Sequence, residues 1–216
     1  MNSTIKLVKL DFLTVKPYIN PINIAIQVAI GLFVGFLVET SLVPFAMMMG
    51  LGAGYVNLVF AVGERNNLDI LYSSLNIKRS DVVSGRYAYV LLVNIGLGIF
   101  SCILIFTAAA LTGRNWPMPS LIVMAVIILF QYLTIEAVQL PIYFRSGFAG
   151  SKAFSSLSYI MYITVFALIM FLNNNDGWVF IAENALMVVF VLVLLSFLLL
   201  ASSFRLACKF YAKRDL

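Results

Sequence analysis

Long uncharged apolar runs alternate with short polar connections along this chain. Six of them, at about 19–38, 42–62, 87–111, 120–140, 155–172 and 185–204, approach the ~20 residues that cross a hydrocarbon core of about 30 Å, and they predict six transmembrane helices. Ahead of the first run, Lys6, Lys9 and Lys16 fall in one quadrant of a helical wheel while Ile5, Val8 and Phe12 fall elsewhere. That pattern predicts an amphipathic N-terminal helix over residues 1–17, lying along the inner leaflet until Pro17 ends it. The first run is too long for a signal-peptide core, and residues 39–44 carry no small-residue cleavage pattern, so it is expected to stay in the mature protein.

Composition narrows the class further. Of 216 residues, 62% are hydrophobic and 11% charged, against about 25% charged in soluble domains, which excludes a soluble globule. The expected fold is an all-α membrane protein, with one transmembrane domain over residues 1–216. No histidine is present, which removes every imidazole-based mechanism. Cys102 falls in a span and Cys208 in a tail, so neither a disulfide nor a thiolate metal site is expected.

Charge sets the orientation. Six spans put both termini on one side, and 13 of the 14 basic residues fall there, in the N-terminal segment, the loops after spans two and four, and the C-terminal tail; the other side has Arg114. The positive-inside rule makes that side cytoplasmic, so the expected location is a cell membrane, multi-pass, with cytoplasmic termini. The net charge of +5 then reflects a membrane-facing basic rim and gives no reason to expect nucleic acid. The connections on the other side are short, and Trp116, Trp178 and Phe180 in them read as interfacial anchors or, alternatively, as a substrate gate.

Most of the polar chemistry lies in the cytoplasmic loop 63–86. Asn66 is placed to cap a helix whose Leu68, Leu71, Tyr72 and Leu75 repeat at i, i+3, i+4 and i+7. Asn76 to Arg79 then form a turn, and Ser80 is placed to cap the helix that leads into span three. Twenty-four residues is long for a connection between adjacent spans. The loop is either a hairpin packed on its own bundle or a docking helix for a cytoplasmic partner.

The string ERNNLDILYSSLNIKRSDVVSGRY resembles the segment after the second span of type 2 ABC-transporter permeases, and QLPIYFRSGFAGSKAF after span four is similar to that family's proline, aromatic, basic, glycine run. The resemblance extends to the permeases of the phenol-soluble modulin exporter and related bacteriocin or drug exporters of Gram-positive bacteria. It implies a coupling helix that inserts into a cleft of a separate ATPase subunit. Carried over residue by residue, Glu64, Arg65, Asp69, Ser74, Lys78 and Arg79 would be the polar contacts, with Leu71 and Leu75 packing the helix. Asn76 stands where the family often has proline. ATP and magnesium would belong to the partner ATPase, and this chain is expected to be non-catalytic, with no cofactor of its own. Its GFAGSK at 147–152 lacks the spacing of a phosphate loop.

Within the spans, Glu136 is the acidic residue, about 6 Å inside the predicted cytoplasmic boundary. It is placed either to pair with Arg86, Arg145 or Lys152 or to act in gating or coupling. Gly31 and Gly35 form a GxxxG face, suited to packing within one subunit or to self-association. Met47, Met48 and Met49 offer flexible thioethers to an apolar pathway, or ordinary packing. The reading that joins these features is the membrane subunit of an ATP-driven exporter of amphipathic or hydrophobic peptides. It would pair with a second permease copy, identical or not, and with two ATPase subunits. The alternative is a secondary transporter or channel without an ATPase partner.

Overall fold

The computed structural model describes residues 3–37, 42–113, 118–156, 164, 167 and 183–214, and among these every regular element is helical. In chain order they are α1 (Ser3–Val15), a single 3-10 turn (Lys16–Tyr18), α2 (Pro21–Leu37), α3 (Leu42–Arg65), α4 (Leu68–Ser74), α5 (Arg79–Thr112), α6 (Met118–Gly150), α7 (Lys152–Ser155) and α8 (Ala185–Ala212). Three of these helices, α5, α6 from Ile122, and α8, are long and apolar enough to cross a membrane. The span predicted at 155–172 falls mostly outside the described residues.

Two helices run further than their apolar runs. Span three was expected from residue 87, but α5 begins at Arg79, because Arg79 to Arg86 continue the helix without a glycine pair or proline to stop it. Ser80 therefore lies inside the helix, and Lys78, with extended backbone, takes the cap position. α5 ends at Gly113, whose left-handed φ of 67° lets its N–H reach the Ala109 carbonyl. Span four was expected to end near residue 140. Instead α6 passes through Pro141 and kinks at Gly147, where φ is 73° and ψ 172°.

The faces of α5 show its environment. Asn94, Gly98, Ser101, Leu104, Ile105 and Ala108 turn into the protein, while Leu92, Ile95, Ile99, Ile103 and Phe106 are more than 40% exposed. A helix with its small and polar residues inside and its large apolar residues outside suits lipid, not water.

The tightest packing lies at one end of the bundle. Rings of Phe60, Tyr143, Phe144, Phe148 and Tyr211 meet in edge-on or tilted pairs with centroids 5.1–5.5 Å apart. α1 closes that end from the side. Its Leu7, Asp11 and Val15 repeat at every fourth position and are buried against α5 and α3, and Phe12 sets its ring edge against Tyr89 at 4.8 Å. Its lysines stay exposed. Close approach requires Gly85, since a Cβ there would come within 2.8 Å of Leu7 Cβ. The N-terminal helix, the loop after α3, the kink of α6 and the end of α8 thus gather at the same end of the molecule.

Candidate functional site

α4 is a short helix held between the end of α3 and the start of α5. Asn67 occupies its cap position with a left-handed backbone, φ 51° and ψ 38°, and makes no side-chain capping bond; Asn66, the expected cap, continues the turn from α3. Asn76, also left-handed at φ 52°, closes the turn toward α5. Asparagine tolerates this conformation better than most residues, so the turn forms without the family's proline.

The expected apolar stripe of α4 divides. Tyr72 is 3% exposed and Leu68 half-buried, both facing the bundle, whereas Leu71 at 45% and Leu75 at 62% point away, joined by Ile70 at 57%. Seven residues make barely two turns, so one side suffices to anchor the helix and the other is left open.

The charged residues divide in the same way. The Glu64 carboxylate accepts backbone N–H groups from Phe148 and, at 3.0 Å, from Ala149. Asp69 accepts from Tyr211 Oη at 2.9 Å and pairs with Arg214 at 3.1 Å. Arg79 Nη1 donates to the carbonyls of Tyr211, Ala212 and Arg214 at 2.8–2.9 Å, capping the C-terminus of α8. These three residues, expected as polar partner contacts, all bond within the chain as well. Arg65, Ser74 and Lys78 remain exposed, Ser74 donating its hydroxyl to the Leu71 carbonyl.

Behind α4 lies Arg86. Its Nη1 donates to the Val59 carbonyl at 2.7 Å, its Nε lies 3.5 Å from Asp11, and the guanidinium stacks 5.0 Å from the centre of the Phe60 ring. Gly63 makes room for it, since a Cβ would meet Nη2 at 2.8 Å. Burial pushes the Asp11 carboxyl up to about 6, and the Arg86 charge only partly opposes that. Glu64, Asp69, Arg86 and Arg214 also border a cavity of about 20 Å³, room for about one water.

Among the described residues Glu136 pairs with no cation. Its Oε2 accepts from Asn94 Nδ2 at 2.6 Å, its Oε1 has no hydrogen-bond partner among the described residues, and it is 2% exposed. Of the cations expected beside it, Arg86 meets Asp11, Arg145 lies over the Phe210 ring at 5.5 Å, and Lys152 is exposed. Tyr143 Oη donates to Asn57 at 2.8 Å, a second polar link between helices. Gly31 and Gly35 lie on α2 and Met47, Met48 and Met49 on α3, but their side-chain surroundings are outside the described residues.

Sequence reasoning missed Asp11, Tyr211 and Arg214. For Asp11 a signal exists, the Leu7, Asp11, Val15 repeat that puts a carboxylate on the buried face of α1. For Tyr211 and Arg214 there is none, because their partner Asp69 is more than 140 residues away.

A family model described as "ABC-2 family transporter protein" matches residues 6–212. No curated protein and no solved structure matches the chain.

Proposed function

The chain belongs to the ABC-2 transporter family, and from that premise we propose that it is the permease subunit of an ATP-driven exporter, docked through α4 onto a separate cytoplasmic ATPase. The observation that carries the reading is the division of α4. One face is fixed to α3, α5 and α8 by Tyr72 and Asp69, and the other presents Ile70, Leu71 and Leu75 to solvent. Leucine and isoleucine this exposed, on a helix that caps the bundle, are left largely uncovered by the described residues. They suit a partner's cleft.

In this reading the end of the molecule that carries α1, α4 and the tail of α8 is cytoplasmic, and both termini lie on that side. ATP and magnesium are held by two ATPase subunits, and this chain contributes no catalysis. Nucleotide-driven closure of those subunits carries α4 with it, and its contacts pass the displacement into the bundle. A second permease copy, identical or related, completes the pathway. Its cargo is an amphipathic or hydrophobic peptide of the kind moved by phenol-soluble modulin and bacteriocin exporters, because apolar helix faces with few charges hold apolar surface better than hydrophilic solutes.

The test is copurification. Changing Leu71→Asp and Leu75→Asp together places two charges on the exposed ridge without touching Tyr72 or Asp69. The ATPase should no longer copurify while the permease still inserts and accumulates. A complex that survives the double change overturns the docking role of α4.

A further inference from the structure

Beside the ridge of α4 a second feature stays unused. Tyr72, Ser73, Asn76, Ile77, Arg79, Val82 and Tyr211 surround an open pocket of about 240 Å³. That is below the roughly 300–1,000 Å³ of small-molecule sites and leaves ample room for a partner's side chain to enter. We propose that this pocket receives an acidic side chain of the ATPase subunit, so that the docking surface is an apolar ridge flanked by a cationic socket. The proposal rests on the reading of α4 as the docking helix.

Its chemistry follows from how the charges sort. The acidic groups of the loop are turned inward: Glu64 is spent on the N–H groups of Phe148 and Ala149, and Asp69 on Arg214 and Tyr211. Of the described cations, Arg86 alone is buried, against Asp11. Arg65 and Lys78 are exposed on either side of α4, and Arg79 stands in the pocket wall. Arg79 Nη1 is bonded to three carbonyl dipoles, which orient the guanidinium, and among the described residues it makes no ion pair. Asp81, half-buried one turn into α5, has an interaction of its own and does not line the pocket. Ser73 and Asn76 add short polar side chains at the exposed rim. A carboxylate entering here meets a fixed planar cation, and Arg65 and Lys78 favour a negative rim around it.

The experiment uses the full permease expressed with the ATPase that copurifies with it. A photoreactive benzoylphenylalanine is placed at Ser73, in the pocket, and separately at Leu71, on the ridge. Both positions should crosslink to the ATPase, and the segment captured from Ser73 should contain an Asp or Glu whose change to Gln or Asn weakens the complex about tenfold. Ser73→Trp, which fills the pocket from its exposed rim, should weaken it to a similar extent, and added salt should weaken the wild-type complex. Capture from Leu71 without capture from Ser73 overturns the socket and leaves the docking helix standing. So does a Ser73 crosslink to lipid or to a segment without a carboxylate, or a Ser73→Trp complex of wild-type strength. Failure of both positions overturns the docking reading and the socket with it.

Discussion

The Glu64 carboxylate accepts the backbone N–H of Phe148 across 84 positions of sequence. It thereby ties the end of α3, where the coupling loop begins, to the residue that follows the Gly147 kink in α6. The two segments that carry the family resemblance are one structural unit, joined by this contact. A carboxylate is well suited there, because the N–H groups freed by the kink lack intrahelical acceptors.

The kink should not tolerate a side chain. Gly147 has a backbone conformation that only glycine adopts readily, and a Cβ would lie 3.1 Å from both Glu64 carboxylate oxygens and from Arg214 Nη2. Gly147→Ala should cost about 1–3 kcal/mol, seen as a lowered thermal midpoint in detergent. Glu64→Gln keeps an acceptor at the same place and should cost less.

Stability should depend on pH through Asp11. Its carboxyl is raised from 3.8 to about 6 by burial, against the opposing pull of Arg86. The folded state therefore binds a proton more readily than the unfolded one, so the group's contribution falls as pH rises from about 4 to about 6 and is flat above. Relative to Asp11→Asn, the wild type should lose up to about 3 kcal/mol across that window. Thermal midpoints of both proteins from pH 4 to 8 check this; parallel curves would contradict it.

Removing Arg86 should be worse at neutral pH. Arg86→Leu strands the buried Asp11 and removes the side-chain donor to the Val59 carbonyl. A loss of about 3–5 kcal/mol is expected. It should shrink in the double variant with Asp11→Leu, which removes the stranded charge.

The pair between α5 and α6 should behave as a unit. Glu136→Leu leaves an Asn94 N–H facing an apolar group, at a cost of about 1–3 kcal/mol. Adding Asn94→Leu should recover part of that, giving a coupling energy in a double-mutant cycle. Additive losses would mean that the contact contributes nothing.

Topology can be read with an impermeant thiol reagent in whole cells. With Cys102 and Cys208 replaced, single cysteines at Asn66 and Ala153, both exposed, should stay unlabelled until the cells are opened. One at Asn174 should label at once. Labelling of Asn66 in intact cells would invert the orientation.

How much of this the sequence revealed depends on the range of each interaction. Apolar runs of about 20 residues are local, so α5, α6 and α8 were legible as spanning helices, and so was the end of α1 before Pro17. The existence of α4 was legible too, from its i, i+4 leucines. Which of them faced inward was not, because Leu68, Leu71, Tyr72 and Leu75 together cover too wide an arc for a seven-residue helix to bury. Tyr72 is taken inward into the core cluster that also holds Val82 and Tyr211, with Ile77 packed against that cluster. The partners of Glu64, Asp69 and Arg79 come from α6 and α8, beyond the reach of any spacing rule.

α5 runs 34 residues without a break, about 51 Å at the rise of an α-helix, and Asn94 stands near its midpoint. A stiff rod bonded to its neighbour near the centre is able to pivot there. From Asn94 it is about 22 Å to Arg79 and about 27 Å to Thr112. A rocking of about 10° around the Glu136 contact would swing each end by about 4–5 Å, in opposite directions, while moving the contact itself hardly at all. A push delivered beside α4 would then arrive at the far face of the membrane at nearly full amplitude and reversed in sign, as in a seesaw. The polar bond is sited where leverage strains it least.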